Sequence, residues 1–194
     1  MIKESTKPIV IVGGTLVVGK GIYCRHLAGE HLFKHISYGD VLRVEASRQG
    51  RDHERTTLLD ISASIRRKNG LTGLAQLALE QWYAEADAYN GLAVDGPRAV
   101  GDAEGLHQVG GRLFFVDAPI ELRYKWMLDR SRDEEAKLTI EEFTANELRE
   151  WNGDGTLNGP NLKAIKDMAE LVIENTGTQD ELIAKMDGAL GLGH

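Results

Sequence analysis

The chain has 194 residues and a mass of 21.4 kDa, which suits one domain, 1–194, with a sizeable core. Its net charge of −7 argues against nucleic acid or an anionic membrane surface as a partner. A single cysteine, Cys24, rules out an internal disulfide, and the longest early apolar run, Ile9–Val12, is too short to cross a membrane. We therefore expect a cytoplasmic protein, whose oligomeric state the sequence leaves open.

Short apolar segments bounded by turn residues are predicted to be β-strands. The first, Ile9–Val12, is a continuous β-branched run, which is typical of a strand buried on both faces. The other predicted strands are Phe33–Ser37, Leu92–Val94, Leu113–Val116 and Leu171–Ile173.

Helical segments are predicted between these strands. They are Gly19–Ala28, a helix capped by Asp40 and ending near Gln49, Thr56–Lys68, Leu74–Ala88, Val100–Val109, Ile120–Ser131, Ile140–Trp151, Leu162–Ala169 and Gln179–Leu190. Alternation of strands and helices predicts an α/β fold, three layers α/β/α around a five-stranded parallel sheet. Residues of about 132–161 form a charged insertion, which we interpret as a small lid or as a solvated helical excursion.

The first loop has the spacing of a phosphate-binding loop, with glycine, four residues and Gly-Lys after a buried strand. Backbone N–H groups of such a loop surround a phosphate at a helix N-terminus, and Lys20 would reach the β- and γ-phosphates. Gly21 stands where a hydroxyl residue usually contacts Mg²⁺. The alternative is an ordinary strand–turn–helix with a surface lysine. The predicted nucleotide-binding residues are Gly14, Thr15, Val18, Gly19, Lys20, Gly21 and Ile22.

Three later segments resemble the nucleoside monophosphate kinases of the adenylate kinase type. They are Ile36–Arg43, Asp95–Arg98 and Val116–Leu122, and with the loop they cover about residues 8 to 132. The resemblance implies a P-loop kinase fold, ATP as donor and an acceptor phosphate bound by Arg43, with Asp40 beside it. It also implies a lid arginine at Arg130.

The last third resembles the dephospho-coenzyme A kinases instead. The segment Leu171–Thr178 carries this likeness, which implies that Asn175 lies near the donor adenine. Trp126 stands where adenylate kinases have a donor-stacking arginine, so it either stacks on the adenine or belongs to the core. The acceptor therefore stays open between a nucleoside monophosphate and a hydroxyl compound.

Asp102 falls where adenylate kinases place a glutamine that recognises the acceptor base. Because an ionised carboxylate only accepts hydrogen bonds, Asp102 would suit a base edge with two donors, such as that of guanine. This hypothesis depends on the alignment beside a one-residue deletion.

Four cationic residues follow or face the carboxyl ends of predicted strands, where ligands bind in open α/β sheets. They are Lys20, Arg43, Arg98 and Arg130, with Arg132 as a second lid candidate. Phosphoryl transfer requires such converging charges, so we predict catalytic roles for Lys20, Arg98 and Arg130, with Arg98 also binding the substrate. Asp95 is the fourth predicted catalytic residue. The run 66–68, Arg-Arg-Lys, is interpreted as a charge cluster at a helix C-terminus.

Asp95 ends a strand beside the predicted phosphate site and is the candidate Mg²⁺ ligand, through water. The alternative is a turn-forming aspartate. Asp40 is only a helix cap if the acceptor is a phosphate, whereas a hydroxyl acceptor needs Asp40 or Asp95 as a base. The six histidines lack metal-ligand spacing and receive no role.

The sequence thus predicts an ATP- and Mg²⁺-dependent phosphotransferase acting on a nucleoside monophosphate or similar nucleotide. The first alternative is a kinase of dephospho-coenzyme A or of another hydroxyl acceptor. The second is a nucleotide-binding regulatory protein without efficient catalysis, which the unusual residues 21, 22 and 126 would favour.

Overall fold

Five parallel strands form the central sheet of the computed structural model, which describes residues 5–129, 138–153 and 155–192. The strands are β1 (Ile9–Gly14), β2 (Phe33–Ser37), β3 (Gly91–Asp95), β4 (Gly111–Asp117) and β5 (Leu171–Glu174), in the spatial order β2-β3-β1-β4-β5. All four pairings are parallel. Each predicted strand is present, and most extend beyond the predicted bounds.

Helices connect and cover the strands. They are α1 (Lys20–His31), α2 (Tyr38–Arg48), α3 (Arg55–Asn69), α4 (Gly73–Glu85), α5 (Val100–His107), α6 (Ile120–Asp129), α7 (Ile140–Asn152), α8 (Leu162–Asp167) and α9 (Gln179–Leu190). A separate 3₁₀ turn, Ala86–Ala88, ends the segment that was predicted to be one helix with α4. The N-cap of α2 is Ser37, so the prediction that Asp40 caps this helix was wrong, and Asp40 lies in its first turn.

Hydrophobic layers lie on both faces of the sheet, because successive side chains of a strand point in opposite directions. Ile9 and Ile11 pack with residues of α2, α3, α4, α5 and α8. Val10 and Val12 pack with residues of α1 and α9 on the other face. This arrangement confirms the predicted three-layer α/β/α fold.

The described part of the 132–161 segment packs against the domain. Helix α7 begins with a capping box in which the Thr139 Oγ1 accepts the Glu142 N–H, and the Glu142 carboxylate accepts the Thr139 N–H. Phe143 and Glu150 of this helix are buried. The segment therefore contributes side chains to the interior as well as to the surface.

None of the helices within the described residues combines the length and the apolar character that crossing a membrane requires.

Candidate functional site

One large cleft, of about 740 Å³, opens at the carboxyl ends of the strands, where the topology of an open α/β sheet places ligands. Most of the predicted site residues line it. These are Val18, Gly19, Lys20, Gly21, Ile22, Asp40, Arg43, Asp95, Arg98, Asp102 and Asn175. Gly14, the last residue of β1, and Thr15, which follows it, do not line the cleft. Arg130 and Arg132 lie outside the described residues.

The loop between β1 and α1 has a conformation that requires its glycines. Gly14 has φ of 147°, and a Cβ there would lie 2.3 Å from the carbonyl oxygen of Val116. Gly19 has φ of 98°, and a Cβ there would lie 2.8 Å from Leu182. Val17 also has a positive φ, 57°, which costs a β-branched residue about 1–3 kcal/mol. Strained backbone of this kind persists only where neighbouring groups hold it.

Two buried side chains from distant elements hold this loop. The Arg123 guanidinium of α6 donates to the Leu16 carbonyl oxygen over 3.3 Å. The Asn175 side-chain amide donates to the Val18 carbonyl oxygen over 3.0 Å. Asn175 lines the cleft, and its amide nitrogen is engaged in shaping the loop. Arg123 was not predicted, because nothing in its local sequence distinguishes it from a surface arginine.

Thr15 is buried, and its hydroxyl donates to the Asp117 carboxylate over 3.2 Å. The same carboxylate accepts from the Lys166 ammonium over 2.7 Å. The hydroxyl of Thr15 is thus engaged with the end of β4 and does not line the cleft.

Lys20 lies at the start of α1 and points back across the loop. Its ammonium donates to the carbonyl oxygens of Gly14 and Thr15. Burial, followed by the nearby positive charge of Arg98, lowers the pKa of Lys20 to about 7. The carboxylates of Asp95 and Glu150 offset only part of the effect of burial on this ammonium, so a bound phosphate group would stabilise its charged form further.

Asp95 ends β3 and contacts two residues of the neighbouring strand β2. Its carboxylate lies 2.6 Å from the His35 Nε2 and accepts from the Ser37 hydroxyl over 3.2 Å. Burial acts to raise the pKa of Asp95, but the His35 hydrogen bond and charge, with Lys20, lower it below its usual value. Asp95 is therefore an anion. No role was predicted for His35, since only the β2–β3 register, with Ser37 opposite Asp95, reveals the contact.

An oxygen-rich corner suited to a hard cation lies beside Gly21. A Cβ at Gly21 would lie 3.7 Å from the Asp95 Oδ2. The Asp95 carboxylate and the Ser37 hydroxyl are the oxygen ligands that Mg²⁺ prefers, with water completing the shell. The residues present fit a water-mediated Mg²⁺ site even though position 21 has no hydroxyl.

A buried carboxylate of α7 joins two arginines in the cleft. Glu150 is 1% exposed and accepts hydrogen bonds from the guanidinium groups of Arg55 and Arg98. Arg98 was predicted, whereas Glu150 and Arg55 were missed because they come from the insertion and from α3. Only the packing of α7 against the cleft brings them together.

A second buried pair joins Arg66 to Asp102 and contradicts the role that the sequence suggested for Asp102. Arg66 binds Asp102 through two hydrogen bonds of 2.9 and 2.7 Å, and both residues are at most 3% exposed. The run 66–68 lies in the last turn of α3, as predicted, but Arg66 is buried in an ion pair. The Asp102 carboxylate also accepts the backbone N–H groups of Arg98 and Ala99. This buried carboxylate thus accepts four hydrogen bonds from within the protein and compensates Arg66, so the hypothesis that Asp102 recognises a base edge does not fit.

Arg43 lies at the more exposed end of the cleft. Its guanidinium donates to the Asp40 carboxylate over 2.6 Å, one turn earlier in α2. The half-buried Trp126 lines the cleft and also packs against the core residues of α1 and α9. Its position is therefore compatible with both alternatives considered above, stacking on an adenine and packing in the core.

Comparisons with known proteins agree with this geometry. The AAA domain family matches residues 14–143. An adenylate kinase of Bartonella tribocorum is 30% identical over 115 residues, 58% of this chain and 58% of that protein. A UPF0200/UPF0201 protein of Archaeoglobus fulgidus is 27% identical over 153 residues, 76% of this chain and 44% of that protein. The chain therefore spans about half the length of these two curated relatives.

Solved structures confirm the fold. A shikimate kinase from Bacteroides thetaiotaomicron superposes with a TM-score of 0.60 at 10% identity, covering 96% of this chain and 99% of that one. A shikimate kinase from Acinetobacter baumannii, in complex with shikimate, gives 0.56 at 19% identity, with 96% and 94% coverage. The predicted resemblance to P-loop nucleotide kinases is confirmed at the level of family and fold.

Proposed function

Because the chain belongs to the AAA domain family and has the fold of P-loop kinases, we propose that it transfers the γ-phosphoryl group of ATP to a nucleoside monophosphate. One observation carries this proposal. Lys20, Arg43, Arg55 and Arg98 come from separate segments and line one cleft. Convergent cations suit two bound phosphate chains, one on the donor and one on the acceptor.

The donor end of the cleft is built by the phosphate loop. Backbone N–H groups of the loop and of the start of α1 bind the phosphates, and the Lys20 ammonium exchanges its carbonyl partners for phosphate oxygens. Trp126 and the residues 177–179 line the cleft as well, and Trp126 offers a flat apolar surface for the adenine. Asp95 and Ser37 would hold Mg²⁺ through water, and the ion would neutralise charge on the β- and γ-phosphates.

The acceptor end is built by arginines that are already paired. Arg43 faces Asp40, and Arg98 faces Glu150, which hold the two guanidinium groups in defined orientations. Arginine binds phosphate oxygens in a bidentate manner. An acceptor phosphate is already an anion, so no general base is required, and Asp40 serves to orient Arg43.

A coupled assay of ADP formation with each nucleoside monophosphate tests the proposal. We expect turnover with one or two monophosphates, abolished in Lys20→Ala. Arg43→Gln should raise the KM for the monophosphate about tenfold or more, since one charge-assisted contact contributes about 1.5–3 kcal/mol. Arg48→Gln, an exposed arginine of the same helix that pairs with Glu45, is the matched control and should leave KM unchanged. Absence of ADP formation with every nucleoside monophosphate would overturn the acceptor assignment.

A hydroxyl acceptor is the second candidate, because the anionic Asp95 lies beside the phosphate site with His35 against it. Such a carboxylate can take the proton of an alcohol as the γ-phosphoryl group is transferred. Dephospho-coenzyme A in the same panel distinguishes the two, since it would yield a new phosphomonoester. ATP binding without turnover on any acceptor would favour the regulatory alternative.

A further inference from the structure

A cluster of two histidines and one aspartate lies where α1 and α9 pack together. His26 and His31 come from α1, and Asp187 comes from α9. One potential ligand atom of each residue lies within 4.8 Å of the other two. None of the three residues lines the cleft described above, so the phosphotransfer site does not account for them.

The contacts within the cluster orient the carboxylate. The His26 Nε2 lies 3.0 Å from the Asp187 Oδ2, and the Tyr23 hydroxyl donates to the Asp187 Oδ1 over 2.9 Å. The His31 ring meets the His26 ring edge-on, with centroids 5.4 Å apart. Such partners resemble the outer groups that fix metal ligands in proteins.

The negative charge of Asp187 is available to a bound cation. Within the described parts of the chain, no lysine or arginine forms an ion pair with this carboxylate. The side chains of His26 and Asp187 are each 17% exposed, so a small ion can reach them from solvent.

We propose that His26, His31 and Asp187 bind a divalent transition-metal ion of the Zn²⁺ type, with water in the fourth position. Two imidazoles and one carboxylate suit Zn²⁺, Ni²⁺ and Cu²⁺ better than Mg²⁺ or Ca²⁺. Metal–ligand bonds of about 2.0–2.1 Å place the ligand atoms of a tetrahedral site roughly 3.4 Å apart. The His26 Nε2 and the Asp187 Oδ2, 3.0 Å apart, are already within this spacing, and the His31 ligand atom, within 4.8 Å of both, can approach by a side-chain rotation.

The bound ion would fasten α1 to α9. Helix α1 begins at Lys20, and the segment that leads into α9 lines the cleft at Gly177 and Thr178. Since only the folded chain brings the ligands together, the ion stabilises the fold by mass action. This proposal does not depend on the identity of the phosphoryl acceptor.

Titration of the untagged full chain with Co²⁺, followed by competition with Zn²⁺, tests the site. We expect one equivalent of Co²⁺ with visible d–d absorption and no thiolate charge-transfer band, and a rise in Tm with Zn²⁺. His31→Asn keeps the His26–Asp187 pair but should bind at least tenfold more weakly and lose the Tm shift. His26→Asn is a second variant with the same expectation. His53→Asn, outside the cluster, is the control and should behave as the wild type.

Equal affinity in the wild type and in both cluster variants would overturn the proposal, as would failure to bind one equivalent. A thiolate band that disappears in Cys24→Ser would also overturn it. That result would place the metal on the other potential cluster, formed by Cys24, His35 and Asp95 in the interior.

Discussion

The protonation state of Lys20 is expected to depend on whether ATP is bound. Burial lowers its pKa to about 7 in the nucleotide-free protein, so at pH 8 most molecules carry a neutral amine. Triphosphate oxygens beside the amine favour the charged form and raise the pKa again. ATP binding at pH 8 is therefore expected to take up close to one proton, and the affinity should fall by up to about tenfold per pH unit above pH 7.

Calorimetry in buffers of different ionisation enthalpy measures this uptake directly. Lys20→Met should bind ATP more weakly and show no proton uptake. The same depressed pKa predicts that the free energy of unfolding rises between pH 7 and 10, where the unfolded lysine holds a proton that the folded one has lost. Binding enthalpies that do not depend on the buffer at pH 8 would contradict the assignment.

Gly21 leaves a space beside the proposed Mg²⁺ site. A Cβ at this position would lie 3.3 Å from the end of the flexible Arg25 side chain and 3.7 Å from the Asp95 carboxylate, so a small side chain fits. Gly21→Ser should add a hydroxyl ligand and lower the half-saturating Mg²⁺ concentration for ATP turnover several-fold. Gly21→Ala is the matched control for the added carbon. An equal shift of the half-saturating Mg²⁺ concentration in both variants would show that the hydroxyl is not a ligand of the ion.

At the scale of elements, α7 is held to the acceptor end of the cleft by Glu150. Its carboxylate is 1% exposed, and it compensates the charges of Arg55 and Arg98. Glu150→Gln removes that charge and should lower the free energy of unfolding by about 3 kcal/mol, because breaking a buried ion pair leaves uncompensated charge. It should also weaken monophosphate binding more than ATP binding, since Arg98 loses its orientation.

Urea denaturation and separate KM values for the two substrates check this expectation. Glu141→Gln, in the exposed first turn of the same helix, is the control and should change stability by less than about 0.5 kcal/mol. An equally small effect of Glu150→Gln on stability would mean that α7 is held by its apolar contacts, such as those of Phe143.

At the scale of the whole molecule, donor and acceptor are proposed to share one cleft. A ligand that joins adenosine and a second nucleoside through a chain of five phosphates would occupy both ends at once. Its binding should raise Tm more than saturating ATP and monophosphate together, because the second contact becomes intramolecular. Thermal melts with each ligand measure this, with Lys20→Ala as control. A shift no larger than that of ATP alone would argue against a shared cleft.

Local chemistry made the fold and half of the site predictable. Each strand is marked in the sequence by a short β-branched or apolar run, as in Ile9–Val12. The glycine spacing before Lys20 is typical of a loop whose backbone binds an anion. Asp95 and Arg98 were also predictable, since Asp95 ends and Arg98 follows a strand whose carboxyl end faces the site. Patterns of this kind involve residues only a few positions apart in the chain, so they can be recognised in the sequence alone.

Tertiary structure alone decided which charges meet. Arg66 belongs to a polar run at a helix end, yet it is buried because Asp102, 36 positions later, accepts it. His35 gained a partner through strand register, and Glu150 through the packing of α7. A buried charge requires a compensating partner, and that partner can come from any element that the fold brings near. The sequence by itself determined the sheet, the loop and its lysine, whereas the pairing of the arginines was determined by packing over distances that local patterns do not record.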